Sequence, residues 1–127
     1  MQEKHLFEYA VIRVIPRVER EEFLNVGVIL YCSPLEFLQT SFELNEERLR
    51  AFASDLKIPE IEEHLRAFEQ ICAGGEKAGP IGVLPLGERF RWLTAPRSTV
   101  VQTSPVHTGL CLDAQETLAS LLKKLIQ

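Results

Sequence analysis

The order of segments predicts an α+β fold: an antiparallel or mixed sheet packed against about three helices on one face, in a single domain spanning residues 1–127. Two observations carry this. Strand-like stretches come first, then two helical stretches, more strands and a last helix, without the regular βαβα alternation of a parallel sheet. A chain of 127 residues is also long enough for one independent core, since compact domains commonly run to about 100–150 residues.

FEYAVIRVI, residues 7–15, is rich in β-branched and aromatic residues and stops at Pro16, which cannot donate to a ladder. NVGVILYC, ending at Cys32, is a second strand of the same two-sided apolar character, and the pair is expected to be antiparallel. EREEF between them could form a short helical turn. FLQTSFEL, residues 37–44, alternates better and fits a third strand nearer an edge. Asn45 then caps a helix with Leu49, Phe52, Ala53 and Leu56 as its apolar stripe, and Glu46 and Glu47 complement the positive end of its dipole. Pro59 opens a second helix with Ile61, Leu65, Phe68 and Cys72 inward, and Gly74 and Gly75 close it.

Five glycines and two prolines between Gly74 and Gly87 predict a loop, with room for a short hairpin at IGVLPLG. RFRWL alternates charged and aromatic residues and reads as a strand with Phe90 and Trp92 on one face and Arg89 and Arg91 on the other, Trp92 going to the core. TVVQT is a further strand after a turn near Pro96. Asp113 and Glu116 form a capping-box pattern for a C-terminal helix whose core stripe is Leu118, Leu121, Leu122 and Leu125.

Composition narrows the function classes. Hydrophobic residues make up 46% and charged residues 25%, as in ordinary globular chains. The apolar run VGVILYC is far short of the roughly 20 residues that cross a bilayer, and MQEKHLFEY lacks the pattern of a secretory signal. A cytoplasmic location is the default expectation. Cys32, Cys72 and Cys111 form no CxxC pair, and reduced thiols are expected, Cys32 and Cys72 in the core. His5, His64 and His107 have no finger-like spacing with them, so neither a metal nor a cofactor is expected.

Net charge is −4, which disfavours nucleic acid as a partner, yet charge is unevenly spread. Between Glu36 and Glu76 there are ten acids against four bases, most of them on the outer faces of the two helices. From Arg89 to Leu112 there are three arginines and no acid. Arg97, Ser98 and Thr99 join a bidentate anion donor to two hydroxyls behind Pro96, a set suited to gripping a phosphate or carboxylate. Arg13, inside an apolar strand, needs a carboxylate such as Glu8 or Glu43, a carbonyl cluster or a bound anion. Arg17 and Arg20 have Glu19, Glu21 and Glu22 beside them. Ser104 and His107 suggest a nucleophile and base, but Pro105 and the lack of a GxSxG elbow favour a capping serine and a hydrogen-bonded loop histidine.

The segments YAVIRVIPRVEREEFLNVGVILYC and RFRWLTAPRSTVVQTSPVHTGLC resemble the bacterial family known as domain of unknown function 3037. The pieces that carry the resemblance are Arg13, Pro16, Arg17, Asn25, Gly27, Arg97, Ser98, His107 and Gly109, and it extends from about Phe7 to Leu125. The resemblance implies a small protein without an assigned reaction, often encoded beside a HipA-like kinase, and supplies no catalytic residues.

Two functional expectations follow. One is a non-catalytic accessory domain that docks on a protein partner, a HipA-like kinase, through its arginine-bearing face. The alternative is a small enzyme or sensor for a phosphate- or nucleotide-containing ligand, with Arg13, Arg17 and Arg97 gripping the anion and Ser98, Thr99 or His107 assisting.

Overall fold

Strand β1 (His5–Val14) is central in a five-stranded antiparallel sheet because it is apolar on both sides, so neither can be left to water. The structure, a computed structural model, describes residues 3–127. β2 (Leu24–Cys32) lies along one edge of β1, reached through a 3₁₀ turn at Val18–Arg20, and β3 (Phe37–Phe42) continues outward as an edge strand. Along the other edge, β4 (Val101–Thr103) pairs with Ile12 to Val14 and β5 (His107–Cys111) with His5 to Tyr9. The antiparallel β1–β2 pair and the outer place of β3 agree with the sequence reading; β5 was not anticipated.

Helix α1 (Glu46–Phe52) begins at Asn45, whose Oδ1 accepts from the Arg48 backbone N–H at 3.0 Å. Helix α2 (Ile58–Ala73) has Pro59 in its first turn and ends at Gly74, whose φ of +79° is a left-handed geometry that favours glycine. A single helical turn, α3 (Gly79–Gly82), leads to α4 (Leu86–Leu93), and α5 (Ala114–Leu125) is capped by Asp113, which accepts from the Glu116 backbone N–H at 2.9 Å.

Helices cover both faces of the sheet, not one. Ala10, Ile12, Val14 and Ile29 pack with Leu49, Ile61, Leu65, Phe68 and Phe90 from α1, α2 and α4, whereas Phe7, Val11, Val28 and Leu30 pack with Ala114 and Leu118 of α5. Alternation along β1 requires this, because its odd and even positions are both apolar and each set needs a partner layer. A β-bulge redistributes β2 between the layers. Ile12 pairs with Gly27 and Arg13 with Asn25, leaving Val26 unopposed. Val26 therefore joins Ile29 in the first layer despite its even number. Gly27 sits where β2 and β3 approach closely; a Cβ there would lie 2.7 Å from the Ser41 carbonyl oxygen.

RFRWL is helical, as part of α4, and IGVLPLG is not a hairpin. Four alternating residues fit a period of two, but Leu86, Phe90 and Leu93 recur at four and three, and that longer stripe meets the core. Successive helical positions turn by about 100°, so Phe90 is fully buried while Trp92, two positions on, is 42% exposed instead of lying in the core. Arg89 enters the fold from the same helix. Its Nε donates to the Leu84 carbonyl at 2.8 Å and its Nη1 to the carbonyls of Ile71 and Cys72 at 2.9 Å each. The guanidinium thus occupies the last turn of α2, where carbonyls lack helical partners and the dipole favours a cation.

β4 and β5 would be one strand but for Ser104 to Val106, which leave the β1 backbone near Val11 without a regular partner. Ser104 closes the gap. Its backbone N–H donates to the Val11 carbonyl at 2.8 Å, and its Oγ accepts from the Val11 N–H at 2.9 Å and donates to the Pro105 carbonyl, also at 2.9 Å. This buried hydroxyl is a backbone surrogate rather than a helix cap or a nucleophile. Ser104→Ala strands a buried N–H and should lower unfolding free energy by about 1–3 kcal/mol in urea denaturation, with Ser98→Ala, at an exposed position, within about 0.5 kcal/mol of the parent.

Candidate functional site

Pro16 ends β1 and turns the chain outward at the rim of the sheet, where α1 and the α1–α2 connection face it. Between them lies a cleft of about 350 Å³ lined by Arg17, Arg20, Glu22, Arg50, Ser54 and Asp55 among others. Local structure places each cation. Arg17 and Arg20 flank the 3₁₀ turn after Pro16, and Arg50 projects from the last turn of α1.

Two of these guanidinium groups have modest partners. Arg20 Nε lies 2.6 Å from Glu22, and Arg50 meets Glu46 at 2.9 Å one helical turn away. Both pairs are more than half exposed, and exposed pairs of this kind contribute about 0.2–1 kcal/mol. Either arginine could exchange its partner for a ligand anion at small cost. Among the described residues no carboxylate lies within salt-bridge distance of Arg17. Glu22 and Asp55 temper the positive lining without cancelling three guanidinium charges.

A second cleft, of about 360 Å³, adjoins the first and shares Pro16 and Asp55 with it. Its lining is more apolar: Leu56, Ile61, Val100 and Val101 supply apolar surface, beside Lys57, Glu60, His64 and Thr99. Burial, and secondarily the charge of Arg97, push the His64 pKa below its ordinary value, so its imidazole is neutral at neutral pH. Arg97 stacks on Trp92, 4.2 Å from ring centroid to guanidinium carbon, and donates to the Trp92 carbonyl. Thr99 Oγ1 donates to the Val101 carbonyl at 2.6 Å, tying the loop after Pro96 to β4.

The predicted site residues do not all converge. Arg17 lines the first cleft and Thr99 the second, with Arg97 acting on His64 beside it and Ser98 exposed on the same loop. Arg13 and His107 project from the opposite side of the sheet. Arg13 alternates with the buried Ile12 and Val14, and it lies under the Phe23 ring at 3.9 Å from the centroid. Neither Glu8 nor Glu43 pairs with it: Glu8 is taken by Arg91 at 2.9 Å and Glu43 by Gln127 at 2.6 Å. His107 is a β5 residue whose ring stacks on Tyr9 at 5.3 Å, not a loop histidine. With Ser104 in the ladder and His107 on Tyr9, the two do not form a catalytic pair.

Three arginines of the acid-free segment also part company. Arg89 serves α2, Arg91 reaches Glu8 across 83 residues of sequence, and only Arg97 stays near a cleft. Sequence reasoning missed Arg50 and Ser54 because Arg50, four residues after Glu46, reads as half of an ordinary helix-surface pair. Among the described residues no group of three or more His, Cys, Asp or Glu side chains is placed to hold a metal, and no helix is long and apolar enough to cross a membrane.

The depressed His64 pKa has a sign that can be checked. The unfolded chain binds the proton more readily than the folded one, so stability falls as pH drops below about 6.5 toward the folded value. His64→Gln should flatten that part of a urea-midpoint profile between about pH 7 and pH 5. A parent profile already flat there, or an unchanged slope in the variant, would remove His64 as the cause.

Comparison with known proteins gives one match. The family model described as protein of unknown function DUF3037 covers residues 9–126, almost the whole chain, and the chain belongs to that family. No curated protein and no solved structure matches it.

Proposed function

We propose that this member of the family is a recognition domain for an anion-bearing ligand, held in the cleft of Arg17, Arg20 and Arg50. One observation carries the reading: three guanidinium groups from two separate elements line a single concavity, in a chain whose net charge is −4. Guanidinium groups offer planar paired donors that fit phosphate and carboxylate oxygens, and their present partners are weakly held. The chemistry so supplied is binding, and the domain acts as a sensor or adaptor. Arg97, Ser98 and Thr99 take a supporting place on the loop that walls the second cleft, and Arg13 and His107 take none.

Addition of phosphate-containing compounds at millimolar concentration should raise the melting temperature of the full chain. Arg17→Ala should weaken such binding about tenfold or more, given the strength of hydrogen bonds from a charged donor, without lowering stability comparably. A melting temperature indifferent to a panel of phosphates and carboxylates would defeat the reading.

A second reading, docking on a protein partner, is favoured by a different surface. Leu6 and Leu110 face each other on β1 and β5 and are 56% and 62% exposed, at a sheet edge that carries no acid or lysine or arginine from Ser98 to Leu112. Uncharged edge strands are prone to pair with other chains, and exposed apolar clusters mark interaction surfaces. The family resemblance makes a HipA-like kinase the partner to try. On this reading the two proteins co-purify after co-expression and Leu110→Lys separates them; independent elution of the parent at micromolar concentration would exclude it.

A further inference from the structure

We infer that the ligand of the arginine cleft is a nucleotide, with its phosphate among Arg17, Arg20 and Arg50, its ribose hydroxyls on Asp55 and its base in the adjoining apolar cleft. This inference rests on the anion-site reading and deepens it.

The size of the two clefts and the chemistry of their linings fit such a ligand. Each cleft, at about 350 and 360 Å³, falls at the low end of the range for organic ligands, roughly 300–1,000 Å³, and Pro16 and Asp55 line both. A bare phosphate or a carboxylate would occupy a small part of that space. The first cleft is lined by guanidinium groups and the second by Leu56, Ile61 and Val101 with Lys57 and Glu60 beside them, while Asp55 borders both. A nucleoside monophosphate presents its groups in the same order: an anion, then a diol, then a flat, largely apolar ring.

Asp55 is the element that a simple anion site would not want. Next to a lone phosphate a carboxylate only repels, whereas a carboxylate accepting from ribose hydroxyls is a recurrent means of sugar recognition. Glu22, paired with Arg20 at 2.6 Å in the same cleft, reduces phosphate affinity there, so discrimination has to come from the rest of the ligand. His64, neutral for the reasons given above, lines the apolar cleft, where an imidazole can stack on a base or hydrogen-bond to its edge without adding charge. Val100, 43% exposed, lies at the cleft surface, so it can be changed without entering the core.

The test is calorimetric titration of the full chain with adenosine monophosphate, its 2′-deoxy analogue, ribose 5-phosphate and inorganic phosphate. Stacking of a base should make adenosine monophosphate bind at least about tenfold more tightly than ribose 5-phosphate. Val100→Gln, which lengthens and polarises the apolar wall, should close that gap, and Asp55→Asn should reduce the preference for ribose over deoxyribose. Equal affinities for adenosine monophosphate and ribose 5-phosphate, both lost in Arg17→Ala, would overturn the nucleotide inference and leave the anion site standing. A gap that survives Val100→Gln would also overturn it, since the base would then lie elsewhere. Failure of all four compounds to bind would end both readings. Should Val100→Gln fold poorly, the deoxy comparison on the parent chain decides alone: no preference for the 2′-hydroxyl overturns the place given to Asp55.

Discussion

Strand β1 has a backbone edge on each side, and both must be hydrogen-bonded because the strand is buried. β2 satisfies one edge along almost its whole length. The other is satisfied in two pieces, β4 and β5, joined by a serine hydroxyl that accepts where a peptide carbonyl would otherwise stand. Once that strand is closed on both edges, the placement of the rest follows. Its even residues require α1, α2 and α4, its odd residues require α5, and its end at Pro16 fixes where the chain can open toward solvent.

The clefts follow from that end. A proline after the last ladder residue removes a donor and fixes φ, so the chain leaves the sheet over the α1–α2 connection and leaves a concave seam behind it. Arginine is suited to such a rim, where its stem packs on the wall and its charge stays wet. The sheet supplies rigidity and the connections supply chemistry, a common division of labour in small domains.

Much of this was legible in the sequence, and the exceptions have physical reasons. Strands β1 to β3, the caps at Asn45 and Asp113 and the glycine end of α2 all use signals of a few adjacent residues. RFRWL failed because four residues are too few to separate a period of two from one of 3.6, and only the Leu86–Phe90–Leu93 stripe, which needs a core to face, decides it. The candidate site was half legible. Thr99 was identifiable as a donor in a segment without acids, whereas Arg17, with three glutamates near it in sequence, pairs with none of them. Arg13 and Arg17, four residues apart on one strand and its exit, go to different sides of the molecule. Arg50 and Asp55 belong to the clefts only through tertiary contact.

The burial of all three cysteines gives the fold a chemical clock. Cys32, Cys72 and Cys111 are each enclosed, and burial pushes the Cys72 thiol pKa up to about 11, against a hydrogen bond with Thr40 that works the other way. A thiol reagent in solution meets almost no Cys72 thiolate on the folded chain. The cysteines are divided between the two layers of the core: Cys72 is held by α2 against β3, Cys32 and Cys111 under α5. Labelling at Cys72 therefore times the opening of one helical layer, and labelling at the other two times the opening of the opposite layer. A difference between those rates would tell which side of the sheet lets go first.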